Sequence, residues 1–154
     1  MTFSESIRTC LREKYATFSG RAPRSEYWWF QLFYLLIVLG LVLLMALTGG
    51  LSGAFDQNGE LAPGAAASLG IFGIIFLIVM LGMILPLISV TVRRFHDYNL
   101  SGWWYLGGII AGLIPFVGFL ASIAILVITI LKGTDGPNNF GPDPLGSSDA
   151  DVFN

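Results

Sequence analysis

The stretch WWYLGGIIAGLIPFVGFLASIAILVITIL, Trp103 to Leu131, decides the fold. Its 29 residues include no Asp, Glu, Lys, Arg or His. As one straight helix it would measure about 43 Å at 1.5 Å per residue, against roughly 30 Å for a bilayer's hydrocarbon core. Trp103, Trp104 and Tyr105 suit the water interface, which shortens the apolar part. Pro115 near the middle, with Gly118 after it, predicts a kink. The favoured reading is one long, tilted span kinked at Pro115. The alternative is a hairpin turning at Pro115–Gly118, with halves of 12 and 15 residues that are each too short to cross alone.

Two more apolar segments precede it. YWWFQLFYLLIVLGLVLLMALT runs from Tyr27 to Thr48, and LGIFGIIFLIVMLGMILPLISVTV from about Leu69 to Val92. Neither carries Asp, Glu, Lys, Arg or His. Across the 154 residues, 55% are hydrophobic and only 12% charged, where a soluble domain has about a quarter charged. Mean hydropathy is +0.74. These values exclude a water-soluble globule and a disordered chain. The expected fold is all-α: a polytopic membrane protein with three transmembrane helices, at about 27–48, 69–92 and 103–131. The expected organisation is a cytoplasmic amphipathic and basic segment 1–26, a transmembrane domain 27–131, and a Gly/Pro/Asp-rich tail 132–154. One cysteine, Cys10, excludes a disulfide within the chain, and one histidine, His96, excludes a multi-histidine metal centre. No cofactor or metal is expected.

Orientation follows from the basic residues. Arg8, Arg12, Lys14, Arg21 and Arg24 precede the first span, and Arg93 and Arg94 follow the second. Residues 49–68 between those spans have only Asp56 and Glu60. The positive-inside rule places the N-terminus and the 93–102 loop in the cytoplasm and the 49–68 loop outside. Three spans put the tail outside, and a hairpin brings it back. The first 26 residues lack the apolar core of a cleavable signal peptide, so the first span reads as an uncleaved anchor. Ahead of it, Phe3, Ile7, Leu11, Tyr15 and Phe18 recur at helical spacing after a Thr2-x-x-Glu5 capping box. This predicts a short amphipathic helix in the membrane interface.

Three polar-aromatic clusters stand out: GRAPRSEYWW (20–29), RRFHDYNLSGWW (93–104) and GTDGPNNFGPDP (133–144). In this order and spacing they resemble the bacterial membrane family called domain of unknown function 805. The resemblance covers about Phe18 to Pro144. The sequence departs from the family pattern at Tyr98-Asn99-Leu100 and at Asn139, where a basic residue is more usual. The resemblance implies a small multi-pass protein of the bacterial inner membrane and carries no chemistry with it.

The first two clusters gather Arg21, Arg24, Glu26, Arg93, Arg94, His96 and Asp97 at one interface. They read as helix-end anchors, as a structural ion-pair network, or as a site for anionic headgroups. His96-Asp97-x3-Ser101 suggests a hydrolase triad, but residues adjacent in sequence rarely point at each other, so a catalytic role is not expected. The spans lack the buried ionisable groups of coupled carriers. Gly108-x-x-x-Gly112 and Gly118-x-x-x-Ser122 fit close helix packing. The favoured function is a non-catalytic adaptor or subunit whose basic cytoplasmic face meets anionic lipid. The alternative is an oligomeric channel or small-molecule exporter. Expected partners are membrane lipids and either further copies of the chain or a larger membrane protein, with no nucleic acid.

Overall fold

The computed structural model describes residues 1–47, 55, 59–60 and 62–146. Half of the 49–68 loop, with Asp56, lies outside the described residues, as does the tail beyond Gly146, which reads in sequence as a disordered end. The described chain is helical: α1 Phe3–Arg8, a π-helical segment Thr9–Glu13, α2 Arg24–Leu47, α3 Pro63–Asp97, α4 Trp103–Ala111 and α5 Pro115–Ile130. It forms two compact units, one from residues 31–85 and one from residues 1–30 with 86–154.

The 31–85 unit holds the greater part of the two longest helices, α2 and α3. α2 and the Leu69–Asp97 part of α3 are both long and apolar enough to cross a membrane. At 24 residues α2 spans about 36 Å. Leu35, Leu36, Leu39 and Leu43 of α2, and Ile74, Ile78 and Leu81 of α3, are exposed. Such a surface is costly in water and natural against lipid. Inside this unit Tyr34 Oη donates to Met80 Sδ at 2.8 Å.

The 1–30/86–154 unit is built the other way, with charge inside. The capping box forms in full: Thr2 N–H donates to Glu5 (2.8 Å) and Glu5 N–H to Thr2 Oγ1 (3.4 Å). The fully buried face of the segment is Ser6, Thr9 and Cys10, and the expected apolar stripe of Phe3, Ile7 and Leu11 lies beside it, half-buried. The reason is what sits beneath. Ser6 Oγ donates to the Glu26 carbonyl at 2.6 Å, and Cys10 Sγ lies 3.8 Å from the Glu26 carboxylate.

The third apolar segment is two helices, which corrects the favoured single kinked span. Ile114 is extended and Pro115 opens α5, at the position where its missing N–H costs no helical bond. Proline therefore begins a new helix here instead of bending an old one. α4 and α5 then fold back on each other. A Cβ on Gly108 would sit 2.8 Å from Ile125 Cδ1, and one on Gly118 would sit 2.8 Å from Gly112 Cα. Nine and sixteen residues give about 14 and 24 Å, so neither arm spans the roughly 30 Å core. The hairpin returns Leu131 to the end of α3, where Arg94 Nη2 donates to its carbonyl.

Candidate functional site: a buried ion-pair cap

The site forms where α3 ends. Arg93 and Arg94 are fully buried there, with Arg21, Glu26 and Asp97 each under one-tenth exposed. Stripping water from charges is expensive, so each must find a partner. Arg93 Nη1 pairs with Glu26 Oε1, which ties α3 to the first turn of α2. Asp97 bridges two arginines: Oδ1 takes Arg21 Nε at 2.9 Å and Oδ2 takes Arg94 Nη1. Three guanidiniums and two carboxylates thus share one interior.

Arg93 Nη2 lies 3.9 Å from Cys10 Sγ, and its buried Nε has no partner among the described residues. Donors of Arg94 and Arg24 instead meet carbonyls that a helix end leaves without partners. Arg94 Nε donates to the Thr129 carbonyl at 3.2 Å, Trp28 Nε1 to the same carbonyl at 3.3 Å, and Arg24 Nη1 to Ile130 at 3.3 Å. With Leu131, these are the last carbonyls of α5, where cations also suit the helix dipole. Arg21 reaches the tail through Thr134 O (2.5 Å) and Gly136 O (2.6 Å).

The tail in turn caps α3. Thr134 donates to the Asp97 carbonyl through N–H (2.8 Å) and Oγ1 (3.0 Å). Asn138 Nδ2 donates to the His96 carbonyl at 2.8 Å. Asn99, in the left-handed region at φ 58°, ends the helix, and Leu100 N–H closes back on Phe95 O at 3.0 Å. Gly133 is required by contact, because a Cβ there would run into the Asp97 carboxylate. The 133–144 motif is therefore a fastener with assigned parts.

Two titrating groups have clear environments. Burial, with Glu26 beside it, pushes the Cys10 thiol up to about 12. Amides of Leu145 and Gly136 donate to Asp143 and hold its carboxyl below the usual range. Asp135 pairs with Lys132 at 2.6 Å on the surface.

Of the residues singled out in sequence, Arg21, Glu26, Arg93, Arg94 and Asp97 meet inside the cap. Arg24 lies exposed at its rim. His96 sits at the edge, with Nδ1 3.1 Å from the Gly20 carbonyl and its ring stacked on Phe140 at 4.0 Å. Asp97 therefore orients Arg21 and Arg94, and the His96 ring is oriented by Gly20. Gly108, Gly112 and Gly118 are the contact points of the hairpin, and Ser122 Oγ donates to the Gly118 carbonyl at 2.8 Å. Among the described residues no group of three or more His, Cys, Asp or Glu is placed to hold a metal.

Sequence reading misses Ser6, Ser89, Thr129 and Asn138, all tied into this unit. Ser89 Oγ donates to the Thr17 carbonyl at 2.6 Å and holds down the segment before the GRAPR motif. A small polar residue in an otherwise apolar run was the available signal for Ser89 and Thr129. The carbonyl partners carry no signal at all, since every residue has one.

The family profile described as Protein of unknown function (DUF805) matches residues 15–142. The chain belongs to the DUF805 family. The match takes in every ion pair of the cap and the tail fastener through Phe140. The chain is similar to the inner membrane protein YhaH of Escherichia coli K12, at 36% identity over 132 residues, 86% of this chain and 90% of that one. It is also similar to the inner membrane protein YhaI of the same organism, at 31% identity over 132 residues, 86% of this chain and 89% of that one. No solved structure matches it. With its long apolar helices, this DUF805 chain is a transmembrane protein of the inner membrane.

Proposed function

We propose that this DUF805 chain is a non-catalytic adaptor or subunit. In this reading two full spans and a re-entrant hairpin hold it in the bilayer, and the N-terminus, the cap and the tail lie on the cytoplasmic face. The charge distribution supports that orientation. All eight Lys and Arg fall in residues 1–30 and 86–154, and none lies between the first two spans.

The observation that carries the adaptor reading is how the cap uses its charges. Arg93 ends on Glu26, and Arg21 and Arg94 end on Asp97 and on backbone carbonyls. Charge here builds a rigid face and is not held out to a substrate. Contact with anionic headgroups then falls to the outer residues. Arg8 and Arg12 flank Ile7 and Leu11 in a shallow cleft of about 320 Å³ on the N-terminal helix. Exposed Arg24 adds to them. A partner's helix has a place to approach closely on the hairpin. There an apolar cleft of about 650 Å³ is lined by Gly107, Gly108, Ala111, Ala121 and Ala124, with Trp104 at its side.

Native mass spectrometry of the protein gently extracted from its own membrane tests this. The expected result is a defined heteromeric mass. A bare homo-oligomer would overturn the adaptor reading in favour of a channel or exporter, to be pursued by flux into liposomes. A bare monomer would overturn it as well.

A further inference from the structure

On the face of α4 that carries Tyr105, Leu106 and Ile109 lies a second cleft, of about 500 Å³, within the size range of small-molecule sites. Its walls are apolar: Phe18, Ile88 and Val92 complete them. Besides the Trp103 indole and the Tyr105 hydroxyl, which is engaged by Thr91, its polar groups are His96 and Ser101, and no charged residue lines it. The chemistry of these two groups is set by their neighbours. His96 Nδ1 faces the Gly20 carbonyl at 3.1 Å, and a carbonyl only accepts, so Nδ1 carries the proton. In the neutral ring Nε2 is then an acceptor, and among the described residues it has no hydrogen-bond partner. Phe140 stacked on the ring holds this orientation. Ser101 Oγ accepts the Trp103 N–H at 3.4 Å, which leaves its O–H free to donate. Ser101 itself is brought close because Gly102 has no Cβ, which would otherwise sit 2.7 Å from Val92 Cγ1.

We infer that this cleft binds an uncharged membrane amphiphile with a hydroxyl-bearing head and one apolar chain, of the acylglycerol class. A head hydroxyl would donate to His96 Nε2 and accept from Ser101 Oγ, and the chain would lie along Leu106 and Ile109. The absence of a lining cation makes a phosphate head costly, since its charge would be buried unpaired. The site does not depend on the adaptor reading, because it needs no protein partner.

The test uses the full chain in a non-ionic detergent, with 1-monooleoylglycerol and 1-oleoyl-lysophosphatidic acid added at equal concentration and adducts counted by native mass spectrometry. One monooleoylglycerol adduct is expected, with the lysophosphatidate at least about tenfold weaker. Ser101→Ala should weaken the monooleoylglycerol adduct about tenfold, the value of one well-made hydrogen bond. Ile109→Trp, at a half-exposed position that does not hold the cap, should fill the cleft and abolish the adduct. Both variants leave the Gly20–His96 bond in place, and an unchanged melting temperature certifies their folding. Equal binding of the lysophosphatidate, no adduct on the wild type, or an adduct that survives Ser101→Ala and Ile109→Trp would each overturn the inference.

Discussion

Replacing Asp97 with alanine leaves Arg21 and Arg94 buried with no counter-ion, although their carbonyl contacts remain. Breaking a buried pair from one side costs about 3–5 kcal/mol, so Asp97→Ala should lower unfolding stability by that order in mixed-micelle titrations. Arg94→Ala should destabilise the protein too, and an unchanged melting temperature would reduce Arg94 to a topology anchor. Arg94→Lys should fall between the two, because one ammonium cannot replace a planar fork that serves Thr129, Leu131 and Asp97 together. Cys10 gives an independent reading of the same interior. With its thiol pushed to about 12, the folded protein should resist maleimide near neutral pH and label only after denaturation in SDS. Rapid labelling of the folded protein would contradict the burial of the Ser6–Thr9–Cys10 face.

The hairpin depends on two backbones passing closely. Gly118→Ala would push a methyl into the Gly112 backbone, and overpacking of this kind costs about 1–3 kcal/mol. Gly107→Ala meets nothing within 4 Å and should melt within about 1 kcal/mol of the wild type, given the better helix propensity of alanine. Equal behaviour of the two variants would mean that the arms of the hairpin do not pack. The tail has its own dependence on pH. The Asp143 carboxyl is held down by the Leu145 and Gly136 amides, so its contribution is present above the ordinary carboxylate range and is lost as pH falls through the lowered folded value. A spin label on Asn139→Cys should therefore be immobile near neutral pH and gain mobility in acid. Asp143→Asn should make the label mobile at every pH.

Across the molecule, the proposed re-entrant hairpin would set which side of the membrane the tail occupies. The contacts of Arg21 with Thr134 and Gly136 require the tail and the GRAPR motif on one face. On the proposed cytoplasmic placement of the N-terminus, a fluorescent-protein fusion after the tail should glow, and an alkaline phosphatase fusion at the same place should be inactive. An active phosphatase fusion would put the tail outside, where those contacts cannot form unless the N-terminus is outside too. Tagging the N-terminus in parallel tests the orientation expected from the basic residues.

The membrane class and the two long spans were legible in the residues, because an apolar run of that length has few other solvents. So were the capping box at Thr2 and Glu5 and the candidate residues of the cap, which stood out because charge is scarce in this chain. The pairing was not legible. Sequence could list Arg21, Arg93 and Arg94 beside Glu26 and Asp97, but it could not tell that Asp97 serves two arginines while Glu26 serves the third. Nor could it show the backbone carbonyls that meet the Arg21 and Arg94 guanidiniums. The reading of Trp103–Leu131 turned on Pro115, and proline in an apolar run is compatible with both a kink and a new first turn. Only tertiary contact chose between them. Glycines at 108, 112 and 118 let the two arms meet, and Arg94, Arg24 and Trp28 satisfy the carbonyls where the second arm ends. Composition and periodicity determine which solvent a segment prefers. Which buried charge meets which carbonyl is set by how distant segments converge, and that is a property of the folded chain alone.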